Sequence, residues 1–239
     1  MEQTLQGKAR NASLLSLAVL VILIWGFYRT YIMHFPAFEG FIFVQHFHGV
    51  TLLAWMASLI VQPLLIQRKK MRIHRMIGKF SFVLAPLLVI SILLVSRMTY
   101  LRNLEAMPSK QDAVAMIALS VAPMLAFIVL YCLAIVNKKD TFSHMRYMIG
   151  TALIMIGPGL GRACGIYFNM PGPMSVSFTL ILITFIALIF FATDLIKKRN
   201  YQPNLIVLFM MIFQSVAWEL RSTLLWQPIG NIFAWLYSL

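Results

Sequence analysis

The chain has 239 residues, of which 61% are hydrophobic and 11% charged. A soluble domain of this size needs a far more polar surface, so soluble classes are excluded and the bilayer is the solvent against which the chain is read. The formal net charge of +13 would suit nucleic acid, but the charges sit in a few short connections between apolar runs, and no nucleic-acid partner is expected.

Seven apolar stretches are each long enough to cross a hydrocarbon core of about 30 Å, which takes about 20 residues. They are 11–33, 41–66, 79–95, 112–136, 148–168, 174–196 and 204–226. The first is longer than the roughly 7–15-residue core of a signal peptide and lacks a small-residue cleavage pattern, so it reads as the first helix of a bundle. Lys8 and Arg10 precede it. Arg68, Lys69, Lys70, Arg72, Arg75 and Lys79 crowd the connection before the third stretch, Lys138, Lys139 and Arg146 that before the fifth, and Lys197, Lys198 and Arg199 that before the seventh. Basic residues concentrate on the cytoplasmic side of membranes. The sequence therefore predicts an all-α polytopic membrane protein with seven transmembrane helices, the amino terminus cytoplasmic and the carboxyl terminus outside. Anionic lipid headgroups are the expected partners of the basic connections. The longest polar connection, 98–111, is too short to form a soluble domain, so residues 1–239 are expected to form one transmembrane unit. The tail 227–239, with Trp235 and Tyr237, reads as an outer interfacial helix or hairpin, because aromatic rings favour headgroup depth.

Two of the basic connections resemble each other. Gln67 to Gly78 and Asn137 to Gly150 both carry Lys-Lys, then a histidine (His74, His144), then Met-Ile-Gly, with registers that differ by two residues. Such similarity suits a parallel repeat relating the second and third helices to the fourth and fifth. The set Gln45-His46-Phe47-His48-Gly49, Gln62, His74-Arg75-Met76-Ile77-Gly78, His144 to Ile149 and Gly161-Arg162 resembles an uncharacterised family of bacterial multi-spanning membrane proteins. That resemblance implies a bacterial cytoplasmic membrane and leaves activity open. The placing of histidines on a central four-helix core is more distantly similar to transmembrane b-type cytochromes, although the fourth stretch has no histidine.

Cys132 and Cys164 lie at opposite depths, and neither a disulfide nor a cysteine metal site is expected. His74 and His144 are the one histidine pair from different helices at a common depth, as a bis-histidine haem requires. They lie at the inner water interface, so the sequence favours contact with water and lipid phosphate and predicts no bis-histidine haem there. His46 and His48 are about 200° apart on a helix and face different sides. With no His-x-x-x-His pair and no second acidic ligand, no metal site is assigned.

Depth arithmetic brings Tyr28, His48, Arg162 and Glu219 together in the outer half of the membrane, with Arg97 and Arg221 near the same level. Charges in the apolar zone cost at least a few kcal/mol unless paired, and Arg162 with Glu219 is the expected pair. The run Gly157-Pro158-Gly159-Leu160-Gly161 beside Arg162 predicts a kink and a cavity. The reading is an outward-facing polar pocket built on Arg162, Glu219 and His46 or His48, binding an anionic or hydrogen-bond-accepting small molecule or lipid. A redox protein holding haem or quinone, and a structural or assembly subunit of a membrane complex, remain open beside it. No catalytic residue and no cofactor are assigned.

Overall fold

The computed structural model describes residues 2–239, and among these every regular element is helical. In chain order they are α1 (Glu2–Tyr28), α2 (Phe43–Gln67), α3 (Met71–Ala106), α4 (Lys110–Met116), α5 (Ala118–Val136), α6 (Thr141–Ile154), α7 (Ile156–Tyr167), α8 (Gly172–Ile196), α9 (Gln202–Glu219) and α10 (Gln227–Ser238), with a 3-10 turn at Ile32–His34. When α4 is counted with α5 and α6 with α7, six helices are long and apolar enough to cross a membrane. The seventh stretch, α9, has 18 residues; Gln202, Asn204, Gln214 and Glu219 lower its hydropathy and keep it out of that group.

Helix bounds and apolar bounds part where polar residues continue a helix or turns interrupt one. α3 has 36 residues, about 54 Å at about 1.5 Å per residue. It overruns the stretch 79–95 at both ends, because arginine, methionine and leucine extend a helix without being uniformly apolar. α1 stops at Tyr28 and α9 at Glu219, so the stretches drawn to residues 33 and 226 end in turns. Pro158 has no N–H for the carbonyl of Ile154. The helix accordingly breaks at Met155, two residues before Gly157, the first of the glycines where the kink was expected.

The core is large and apolar. Trp55, Met56, Leu88, Phe127, Leu130, Leu153 and Met211 are all but inaccessible, and Trp55 stands edge-on to Phe127 with ring centroids 4.9 Å apart. The opposite side of α8 is just as apolar, with Ile181, Phe185, Leu188 and Ile189 exposed. A helix hydrophobic all round is one that lipid covers. A second, smaller core joins Tyr100 of α3 to Val114, Ile117 and Val121 and to Trp226 and Tyr237.

The lysine- and arginine-rich connections share one end of the bundle. The Lys8 ammonium sits 5.5 Å from the centroid of the Phe142 ring, and Gln6, Gly7 and Arg10 share a cleft of about 450 Å³ with Gln67. This is the basic end; the other is the far end.

Candidate functional site

At the far end, α1 and α7 cross backbone against backbone at Gly26 and Gly159, where neither position has room for a side chain. Glycine permits such approach between membrane helices. The crossing sets Trp25 on Tyr167, with centroids 5.3 Å apart, and Arg29 over the same Tyr167 ring at 5.9 Å.

Arg162 follows Gly159 by three residues. Its guanidinium lies 4.3 Å from the centroid of Phe27, and Nη1 donates to the Pro158 carbonyl at 3.0 Å. Arg102 of α3 and His48 of α2 are its electrostatic neighbours. Arg162 is exposed at the surface of the bundle.

His48 is held by a chain of hydroxyls. Ser91, fully buried, has one proton and directs it to the Leu88 carbonyl at 2.7 Å. Its oxygen is then left to accept from His48 Nδ1 at 3.0 Å, and Thr51 Oγ1 lies 3.0 Å from that oxygen and from the Phe47 and His48 carbonyls. The accounting assigns the proton to Nδ1 and leaves the Nε2 lone pair of His48 free. The Tyr31 hydroxyl, pushed above the ordinary tyrosine range by burial, is hydrogen-bonded to His46 Nδ1 at 2.6 Å. His46 belongs to an aromatic cluster of Tyr31, Phe38 and Phe41, away from Ser91.

The expected ion pair is not formed. Glu219 accepts from Ser177 Oγ at 2.5 Å, and Trp218 Nε1 donates to the same hydroxyl at 3.1 Å. Among the described residues Arg162 has no carboxylate within ion-pairing distance. Depth placed the two groups at one level, but Arg162 faces α1, α2 and α3 while Glu219 faces α8. Arg221 also belongs to the second group, stacked at 3.8 Å on Trp218 and bonded to its carbonyl. Tyr28 and Arg97 are exposed. Of the expected pocket residues, Arg162 and His48 are brought together.

At the basic end, His144 Nδ1 lies 2.8 Å from the Ala134 carbonyl and His74 Nδ1 3.4 Å from the Gln62 carbonyl. Sequence reading passed over two residues. One is Arg102, which reaches Arg162 only because α3 runs on past residue 95. The other is Asp194, 1% exposed, whose carboxylate takes Arg146 Nε and Nη2 at 2.9 and 2.8 Å and Asn204 Nδ2 at 2.6 Å. A lone aspartate inside the apolar run 174–196 was the signal that could have found it. Among the described residues no three histidine, cysteine, aspartate or glutamate side chains cluster as a metal site. Comparison with protein-family models, curated proteins and solved structures finds no match for this chain.

Proposed function

We propose that the protein binds an anionic small molecule or lipid headgroup at a site formed by Arg162 and His48 at the far end. The observation that carries this reading is Arg162 itself: a permanently charged guanidinium inside a membrane-embedded helix, with Arg102 nearby and no acidic partner among the described residues. An unpaired cation in the apolar zone is costly, up to about 2.5–3.5 kcal/mol at the centre of a span, and an anion would offset that cost. His48 adds an acceptor through Nε2, so the ligand class is an anion carrying or flanked by a hydrogen-bond donor, such as a hydroxylated or amine-bearing phosphate headgroup.

In the same reading α9 is a seventh span, since its 18 residues give about 27 Å and it packs against α5, α6 and α8. The basic end is cytoplasmic, the Arg162 site faces outward, and the membrane is that of a bacterial cell. Glu219 is left outside the site.

Calorimetric titration of the detergent-solubilised protein with inorganic phosphate and with short-chain phosphatidylglycerol tests the site. Binding lost in Arg162→Gln and kept in Glu219→Gln is expected. Equal binding by wild type and Arg162→Gln refutes the reading.

A further inference from the structure

At the basic end the antiparallel helices α1 and α2 part. About one turn in from Arg10 they are tied, with Ser13 Oγ donating to the Ile60 carbonyl at 3.3 Å. Beyond that tie lies the cleft of about 450 Å³ lined by Gln6, Gly7, Arg10 and Gln67, a size within the about 300–1,000 Å³ of small-molecule sites. The apolar runs of the two helices start at residue 11 and stop at residue 66, so Arg10 and Gln67 stand just outside them. That is the depth of lipid headgroups.

Gln6 and Arg10 are four residues apart and so share one face of α1, while Lys8 turns to the Phe142 ring instead. Arg10 is exposed and, among the described residues, has no carboxylate within ion-pairing distance. Gln67 is the last residue of α2. Its Nε2 is a buried donor without an acceptor, a state that costs free energy until one is supplied. Helix C-termini disfavour anions, but here the carbonyls of Leu64, Leu65 and Ile66 already accept from the N–H groups of Arg68, Lys70 and Lys69 at 2.8–3.0 Å. Gly7 keeps the cleft clear, with nothing within 4 Å of the position a Cβ would take. A guanidinium and two amides, with no acid among the described lining residues, form a set of donors that suits phosphate.

We propose that this cleft binds a phosphate group, supplied by a phospholipid of the leaflet at the basic end, with the Arg10 fork on two oxygens and Gln67 Nε2 donating to a third. Free phosphate offers the same chemistry; headgroup depth favours the lipid. Basic pockets between helices are where anionic headgroups settle. Arg10 also meets water, and exposed charge contacts are weak, so the site fills from the lipid excess of a bilayer and empties in detergent. The inference is independent of the Arg162 site, which lies at the other end of the bundle.

The test is made in the bilayer. The full chain is placed in phosphatidylcholine nanodiscs with a minor share of phosphatidylglycerol carrying a photoactivatable diazirine on its headgroup, illuminated, and digested to map the label by mass spectrometry. Labelling of residues 5–10 and 64–67 above that of the connection carrying Lys139 is expected. It should fall about fivefold in Arg10→Gln, the worth of one basic residue near an anionic surface. Gly7→Leu fills the cleft with a side chain that suits a helix better than glycine, and labelling should fall at least as far. Lys139→Gln removes the same charge outside the cleft and should leave labelling unchanged. Dilution of the signal by unlabelled phosphatidylglycerol but not by inorganic phosphate identifies the lipid; competition by inorganic phosphate overturns the lipid and leaves a free-phosphate site. No excess labelling at the cleft of the wild type overturns the proposal. Labelling that survives Gly7→Leu, or an equal fall in Arg10→Gln and Lys139→Gln, does the same.

Discussion

Replacing Gly26 by alanine puts a methyl carbon 1.9 Å from the carbonyl oxygen of Gly159, and 2.6 and 2.7 Å from its carbonyl carbon and Cα. All three are backbone atoms, so no rotamer change relieves the clash. Since Cβ contacts below 3.0 Å essentially never occur, α1 and α7 must separate by about 1.1 Å, a shift that close-packed interiors resist. Overpacking of this kind typically costs about 1–3 kcal/mol, or a factor of about 5–150 in the folding equilibrium. Phe27 follows Gly26 directly and Arg162 lies one turn beyond Gly159, so the 4.3 Å guanidinium–ring contact loosens with the crossing. Gly7→Ala is the control, lying in the same helix with nothing within 4 Å of the added carbon. Reversible unfolding in mixed detergent micelles, read by tryptophan fluorescence, should show Gly26→Ala destabilised and Gly7→Ala neutral or slightly stabilised. Equal unfolding of the two variants would refute the backbone crossing.

Three further outcomes follow. Arg146→Ala strands the Asp194 carboxylate, which is 1% exposed, and should lower stability by about 3–5 kcal/mol. Asn204 and Arg199 remain near it and favour the lower figure, and Arg146→Ala with Asp194→Ala should unfold less readily than Arg146→Ala alone. The Ser143 hydroxyl holds the Asp140 carboxyl below its ordinary value of 3.8, helped by backbone N–H groups and opposed by slight burial. A depressed value means stability present above pH about 4 and lost as pH falls further. Acid unfolding curves of wild type and Asp140→Asn should therefore diverge only above that region, by a small, salt-screened amount, and divergence confined to lower pH would refute it. Single cysteines at Glu105 and Lys139 should react with an impermeant maleimide from outside and from inside the cell respectively. The reverse pattern would invert the orientation.

Hydropathy shows where a chain is apolar, so the positions of six helices long and apolar enough to cross a membrane were legible in it. It does not show where a helix ends, and the polar overrun of α3 was hidden for that reason. The opposite facing of His46 and His48 was readable from helical geometry alone: one ring meets Tyr31, the other Ser91. The pairing of Arg162 with Glu219 was not readable, because distance along a helix fixes depth and leaves azimuth free. That freedom is settled by packing, here by a glycine crossing that turns Arg162 toward Phe27. Asp194 was overlooked because one acid at the end of a long apolar run barely lowers the run's hydropathy, whatever its burial.

The most direct measurement of the central claim is native mass spectrometry of the protein released from lipid nanodiscs that contain both phosphatidylglycerol and phosphatidylcholine. The account predicts one retained anionic species per chain in wild type and in Glu219→Gln, and its loss in Arg162→Gln with the fold intact by circular dichroism. Retention of the same species at the same occupancy in folded Arg162→Gln would contradict it.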